Sequence, residues 1–84
     1  MYSVYILQSL KTKKYYIGQT DSLARRIHQH NSGYSKSTKH GIPWEMVYHQ
    51  EFDSRAEAVQ FEIKLKKMKS SKYLLDLISW GASR

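Results

Sequence analysis

The sequence predicts an α+β domain, a small three-stranded antiparallel sheet flanked by helices in the order β-β-α-β-α-α. Three observations predict it. Two short runs rich in β-branched and aromatic residues, Tyr2–Leu10 and Tyr15–Gln19, are separated by the polar stretch Lys11–Lys14, which reads as a hairpin. A third run of this kind, Trp44–Phe52, stands between polar segments. The intervals that follow the second and third runs carry helix-start signals and apolar residues at helical spacing. Helices that accompany such a sheet bury their apolar stripes against it.

Side chains alternate along a strand, so Tyr5 shares a face with Ser3 and Leu7. In the second run Tyr15 and Ile17 take one face, and Tyr16 and Gly18 the other. A hairpin can set Tyr5 beside Tyr16, although the register is not readable from sequence. Gly18 leaves clearance for another element or a ligand to approach the backbone. A helix is expected from about Ser22 to Asn31; Thr20–Ser22 offers several possible caps, with Asp21 or Thr20 the best candidates. Asn31-Ser32-Gly33 ends it, because Gly33 accepts the left-handed conformation of a helix stop. At about 100° per residue, Leu23, Ile27 and His30 share an arc with Arg26 at its edge, while Arg25, His28 and Gln29 point away. Arg26 and His30 lie one turn apart and can approach one ligand; the plainer alternative lays the Arg26 stem on the apolar surface with its head in water.

Tyr34–Pro43 reads as a polar, basic loop. In the third strand, regular alternation puts Trp44, Met46, Tyr48 and Gln50 on one face and Glu45, Val47 and His49 on the other. Trp44 and Tyr48 are read as core. Ser54-Arg55-Ala56-Glu57 is a capping box that opens a helix to about Met68. Ser70 or Ser71 caps a last helix through Leu74, Leu75 and Ile78 to about Gly81.

The second helix holds an anomaly. Glu57, Gln60, Lys64 and Lys67 gather on one polar arc, yet Glu62 falls nearly opposite it, among apolar residues. A carboxylate there costs free energy unless it is paired, protonated or bound to a cation. Lys66, one turn on, offers an ion pair. The other reading is a ligand for a hard cation, since Mg²⁺ is commonly held by a carboxylate or two with phosphate and water.

At 84 residues the chain is expected to be one domain with a small core. The hydrophobic fraction of 40% suits a folded protein. Without cysteine, disulfide frameworks and thiolate metal sites are excluded. No segment reads as a signal peptide or a membrane span, so a soluble, cytoplasmic protein is expected. A formal charge of +7 with seven tyrosines fits nucleic-acid binding through phosphates as well as it fits lysine-based solubility.

Together these residues carry a resemblance. The chain resembles the GIY-YIG nuclease superfamily, in particular its small stand-alone members of the UPF0213 type. Tyr16-Ile17-Gly18 is the second signature tripeptide, and Ser3-Val4-Tyr5 stands where the first is expected. Arg26 and His30 follow at the usual spacing, then Asn31-Ser32-Gly33, the basic loop ending in Pro43-Trp44, and the helix that carries Glu62. The likeness covers residues 2 to about 70. It departs from the pattern at Ser3 and Val4, and at Gln19, where relatives can carry lysine.

The resemblance implies a metal-dependent DNA endonuclease that hydrolyses one strand at a time. Glu62 would hold a single Mg²⁺ or Mn²⁺, and Arg26 would stabilise the phosphorane-like transition state. Tyr5 is favoured as general base and Tyr16 as positioning group, with exchanged roles left open. His30 would orient water or phosphate. Asn31 is a weaker candidate, with helix termination as its alternative. Lys36, Lys39, Lys66 and Lys69 would follow the DNA backbone, whereas Lys64 and Lys67 read as a solvated face. The competing reading is a non-catalytic nucleic-acid-binding module of the same fold.

Overall fold

Five consecutive buried residues, Ser3–Leu7, organise the fold. An antiparallel strand with one wet face alternates buried and exposed positions; this run does not, so both of its faces are covered. In the computed structural model, which describes residues 1–67 and 71–82, the run lies in strand β1 (Tyr2–Ser9). Strands β2 (Tyr15–Thr20) and β3 (Trp44–Phe52) flank it, giving an antiparallel sheet of order β2-β1-β3. Three helices, α1 (Leu23–Asn31), α2 (Arg55–Lys67) and α3 (Ser71–Ala82), and a 3₁₀ turn over Lys39–Gly41 complete the chain. The predicted class and element order are those observed.

Each face of β1 carries its own core. Val4 and Ile6, with Ile17 of β2, pack against Ala58 and Leu65 of α2 and Leu74 of α3. Tyr5 and Leu7, with Trp44 of β3, pack against Leu23 and Ile27 of α1. The sheet is therefore a middle layer, with α1 on one side and α2 and α3 on the other. The covering stripe of α2 is narrow: Ala58 and Leu65, two turns apart, are fully buried, whereas Ile63 is exposed.

Three local expectations change. Ser22, not Asp21 or Thr20, caps α1, its side chain accepting the Arg25 N–H. The Thr20 hydroxyl instead accepts the Ser22 N–H at 3.1 Å and tightens the entry turn, and Asp21 pairs on the surface with Arg25. The first strand stops at Ser9, whose hydroxyl accepts the N–H groups of Lys11 and Thr12 and so starts the turn one residue early. In β3, Ile6 pairs with Tyr48 but Leu7 with Met46. Val47 is the extra residue of a bulge, which reverses the alternation. Trp44 and Met46 consequently face α1, whereas Tyr48 and Phe52 face α2 and α3.

The stop of α1 follows expectation: Gly33 has φ +82°, and the Tyr34 N–H returns to the Gln29 carbonyl. The expected cap at Ser70 and helix end at Met68 fall outside the described residues; α3 begins at Ser71. Among the described residues, no helix is long and apolar enough to cross a membrane.

Candidate active site

Gly18 is the floor of the site. It pairs with Tyr5 across the β1–β2 ladder. A Cβ added there would lie 2.6 Å from the Tyr5 oxygen and 3.2 Å from a Tyr16 ring carbon. Only glycine lets the Tyr5 ring lie across the neighbouring strand. Alternation then brings Tyr16, two residues earlier, onto the same face, with the two ring centres 6.3 Å apart.

Helix α1 supplies the next groups. His30 sits in its last turn, fully buried, with its ring edge-on to Tyr16 at 4.8 Å. Its Nε2 lies 3.1 Å from the Tyr5 oxygen, and its Nδ1 lies 2.8 Å from the Thr38 hydroxyl. Thr38 is itself buried and doubly fixed: its carbonyl accepts the Trp44 indole N–H at 2.7 Å, and its hydroxyl faces the Ser35 carbonyl at 3.4 Å. With that hydroxyl donating to Ser35, its lone pair accepts from His30 Nδ1–H. Nε2 is then left to accept the Tyr5 O–H, an assignment made from the hydrogen-bond network. Gly41 makes the loop possible, because a Cβ there would run into the Trp44 ring.

Arg26, one turn before His30, faces both phenols. Its Nη1 donates to Gln29 Oε1 at 2.9 Å, which pins the guanidinium. Burial raises the Tyr5 phenol above its ordinary range, and Arg26 opposes that shift. Contact with Tyr5 in turn holds the Arg26 guanidinium more firmly protonated. Burial, and then the Arg26 charge, push His30 below the ordinary imidazole value, so it is neutral at pH 7.

Glu62 approaches from α2. Its side chain is 18% exposed, and Oε2 lies 2.8 Å from Lys66 Nζ. The ion pair anticipated from sequence is therefore present. Glu62 raises the Lys66 pKa, and both phenols act on Lys66 in the same direction. Glu62 also acts on Tyr5, so the α2 pair and the tyrosines share one electrostatic neighbourhood.

Of the residues expected at the site, Tyr5, Tyr16, Gly18, Arg26 and His30 converge, with Glu62 acting on Tyr5 and Lys66 coupled to both phenols from α2. His30 is too deep to touch water or phosphate itself and reaches the site through Tyr5. Asn31 is occupied elsewhere: its amide accepts the Trp44 N–H and donates to the Trp44 carbonyl, at 2.6 and 3.0 Å, joining α1 to β3. Lys36 and Lys39 are exposed in the loop, and Lys69 lies outside the described residues. Thr38, Gln29 and Gly41 escape a sequence reading. Thr38 lies in the polar stretch SKSTKH, where no periodicity separates a buried hydroxyl from a wet one.

Residues 1–74 match the GIY-YIG catalytic domain. The chain belongs to the GIY-YIG family. A UPF0213 protein of Streptococcus pneumoniae is 39% identical over 67 residues, covering 79% of this chain and 67% of that protein. The structure-specific endonuclease subunit SLX1 of Debaryomyces hansenii is 43% identical over 75 residues, 77% of this chain. That of Schizosaccharomyces pombe is 36% identical over 84 residues, 89% of this chain. The matches span only 21% and 30% of those two SLX1 proteins. The solution NMR structure of a UPF0213 protein of Bacillus halodurans has a TM-score of 0.58 and 34% identity, over 95% of this chain and 85% of that one.

Within the GIY-YIG frame the two tripeptides are paired strands. Ser3-Val4-Tyr5 lies on β1 and Tyr16-Ile17-Gly18 on β2, joined in register at Tyr5 and Gly18. Ser3 and Val4, which depart from the family's name, are both buried, and Val4 belongs to the core. Among the described residues no group of three His, Cys, Asp or Glu side chains stands ready to hold an ion. One carboxylate is nevertheless a fitting donor for a hard cation that takes its remaining ligands from water and phosphate.

Proposed function

We propose that this chain is a metal-dependent DNA endonuclease that hydrolyses one phosphodiester strand at a time. The observation that carries the reading is the convergence over Gly18 of Tyr5, Tyr16 and Arg26, backed by His30, with the only mostly buried carboxylate of α2 acting on Tyr5 and paired with Lys66 beside both phenols. The SLX1 relatives are structure-specific endonuclease subunits, which supports the same class.

Glu62 would hold one Mg²⁺ or Mn²⁺ with the carboxylate that now pairs with Lys66. When bound, such an ion supplies Lewis acidity to the phosphate and the leaving oxygen. Lys66, half exposed beside Glu62, would be available to a phosphate oxygen. Arg26 binds the equatorial oxygens, where a guanidinium held by Gln29 stabilises the charge that grows in the transition state.

Tyr5 is the general base and Tyr16 positions water and phosphate. A phenol titrating at about 10 or above is a poor base at neutral pH, and burial makes it poorer. One group offsets this for Tyr5: Arg26 favours the phenolate, while His30 Nε2 holds the Tyr5 oxygen in place through their hydrogen bond. The phenolate then takes a proton as water attacks phosphorus and the P–O bond to the leaving strand breaks. His30 works through Tyr5, and Thr38 sets the nitrogen that His30 offers.

Purified protein should nick a panel of plain, nicked, flapped and branched DNA duplexes with Mg²⁺ or Mn²⁺. Glu62→Ala and Arg26→Ala should each lower the rate by a factor of about 100 or more, the usual loss when one transition-state contact is removed. Nicking by both variants at the wild-type rate would rule this site out. Salt-sensitive binding without cutting under either metal would identify a non-catalytic module instead.

A further inference from the structure

A cavity of about 560 Å³ opens beside the candidate active site, between the β1–β2 turn, strand β2, the end of α2 and α3. Its lining includes Lys13, Lys14, Tyr15, Tyr16, Lys66 and Leu74. The volume falls within the roughly 300–1,000 Å³ of small-molecule pockets. Aromatic and aliphatic walls under three ammonium groups favour an occupant with a flat apolar part and an anionic part.

Two observations connect this cavity to substrate. First, Tyr16 and Lys66 belong both to it and to the polar group around Glu62, so an occupant would be continuous with whatever lies on the site. Second, Lys13 has φ +66°. Glycine takes that conformation freely and a lysine does not, yet this lysine is on the rim. Lysines also guard sheet edges against strand addition, and β2 is an outer strand. Edge protection, however, requires neither an aromatic wall nor a shared boundary with the active site.

We propose that the cavity takes up the nucleotide adjoining the phosphate to be cut, with its base against Tyr15 and Leu74 and its phosphate among Lys13, Lys14 and Lys66. The proposal rests on the nuclease reading of the neighbouring site. It makes the protein a reader of unpaired strands, because a base stacked in a duplex cannot enter. An end, a flap or a junction arm offers such a base.

The test is binding of a single-stranded oligothymidylate of about eight nucleotides with chelator present, followed by anisotropy over a range of salt. Lys13→Gly and Lys14→Ala should each reduce the slope of log affinity against log salt by about 0.7, the value for one single-strand phosphate contact. Lys13→Gly relieves the backbone and should melt no lower than the wild type, which separates lost binding from lost folding. Thymidine 3′,5′-bisphosphate should shift the amide resonances of Tyr15 and Ile17 more than inorganic phosphate does.

Unchanged slopes in both variants, or a response to an extended peptide and none to the nucleotide, would overturn the cavity proposal, and nicking by the wild type would leave the nuclease reading standing. Lysine-dependent binding in a protein that nicks nothing would overturn the nuclease reading and retain the cavity as a nucleotide site.

Discussion

At the scale of the residue, a buried threonine ends the chain of groups that begins at a signature tyrosine. Tyr5, His30 and Thr38 form an unbroken chain of hydrogen bonds with almost no exposure to water. The direction of that chain is set at its far end, where the Thr38 hydroxyl meets the Ser35 carbonyl. Thr38→Val removes the group that holds the His30 Nδ1 proton. The expected result is a roughly tenfold to hundredfold fall in kcat with little change in KM, a partial loss of general-base catalysis. Thr38→Ser should restore the rate. Nitrogen-15 NMR of His30 checks the cause directly: Nε2 should be the unprotonated nitrogen in the wild type and the two tautomers should mix in the valine variant. A purely structural role for Thr38 would instead move the melting temperature and leave the wild-type tautomer intact. Strand and helix periods assign the tyrosines, Arg26 and Glu62 to faces without any knowledge of register, and the resemblance to the GIY-YIG family then singled them out as candidates. Thr38 was not legible, because a loop has no period and its burial depends on where Trp44 lands.

At the scale of the element, β3 and the loop before it determine where groups meet. The loop is anchored to Trp44 at two points, by Asn31 at its start on the Trp44 backbone and by Thr38 midway on the indole. Gly41 is the point at which this packing has no slack, since a Cβ would overlap the Trp44 ring. Gly41→Ala should therefore cost about 1–3 kcal/mol of stability, as overpacked cores do, and should also lower the nicking rate because Thr38 shifts with the ring. Thermal unfolding and a rate measurement on one preparation test both. The bulge at Val47 is the other decision made at this scale. Trp44 and Tyr48 share a phase in the sequence, and an even strand would put both against α1. One inserted residue sends Trp44 to the face of α1 and Tyr48 to the face of α2 and α3. Nothing in WEMVYHQEF marks that insertion, because both rings are equally suited to either core. Helix α1 was readable almost to the residue, and only its cap was displaced. Thr20, Asp21 and Ser22 are all competent caps, and the choice among them depends on the path by which β2 turns into the helix.

At the scale of the molecule, the buried imidazole makes stability depend on pH. The folded His30 pKa lies below the ordinary 6.5, so at this site the unfolded chain binds protons more readily than the folded one. Stability is fully present above about pH 6.5 and is lost as pH falls through the depressed folded value, at no more than about 1.4 kcal/mol per pH unit for one proton. Denaturant unfolding between about pH 6.5 and 5 should show this fall in the wild type and a flatter profile in His30→Gln. A steeper fall in the variant would contradict the assignment. The sheet order has a consequence of a different kind. The first strand to be synthesised is the middle one, and only its β2 edge can be closed by a local hairpin. Its other edge waits for Trp44–Phe52. Until then a nascent chain leaving the ribosome presents Val4, Tyr5, Ile6 and Leu7 along an open strand, the form most prone to pair with a neighbouring chain. Translation of residues 21–52 is thus the interval in which a chaperone, or a crowd of identical nascent chains, has most influence on whether Tyr5 is buried correctly.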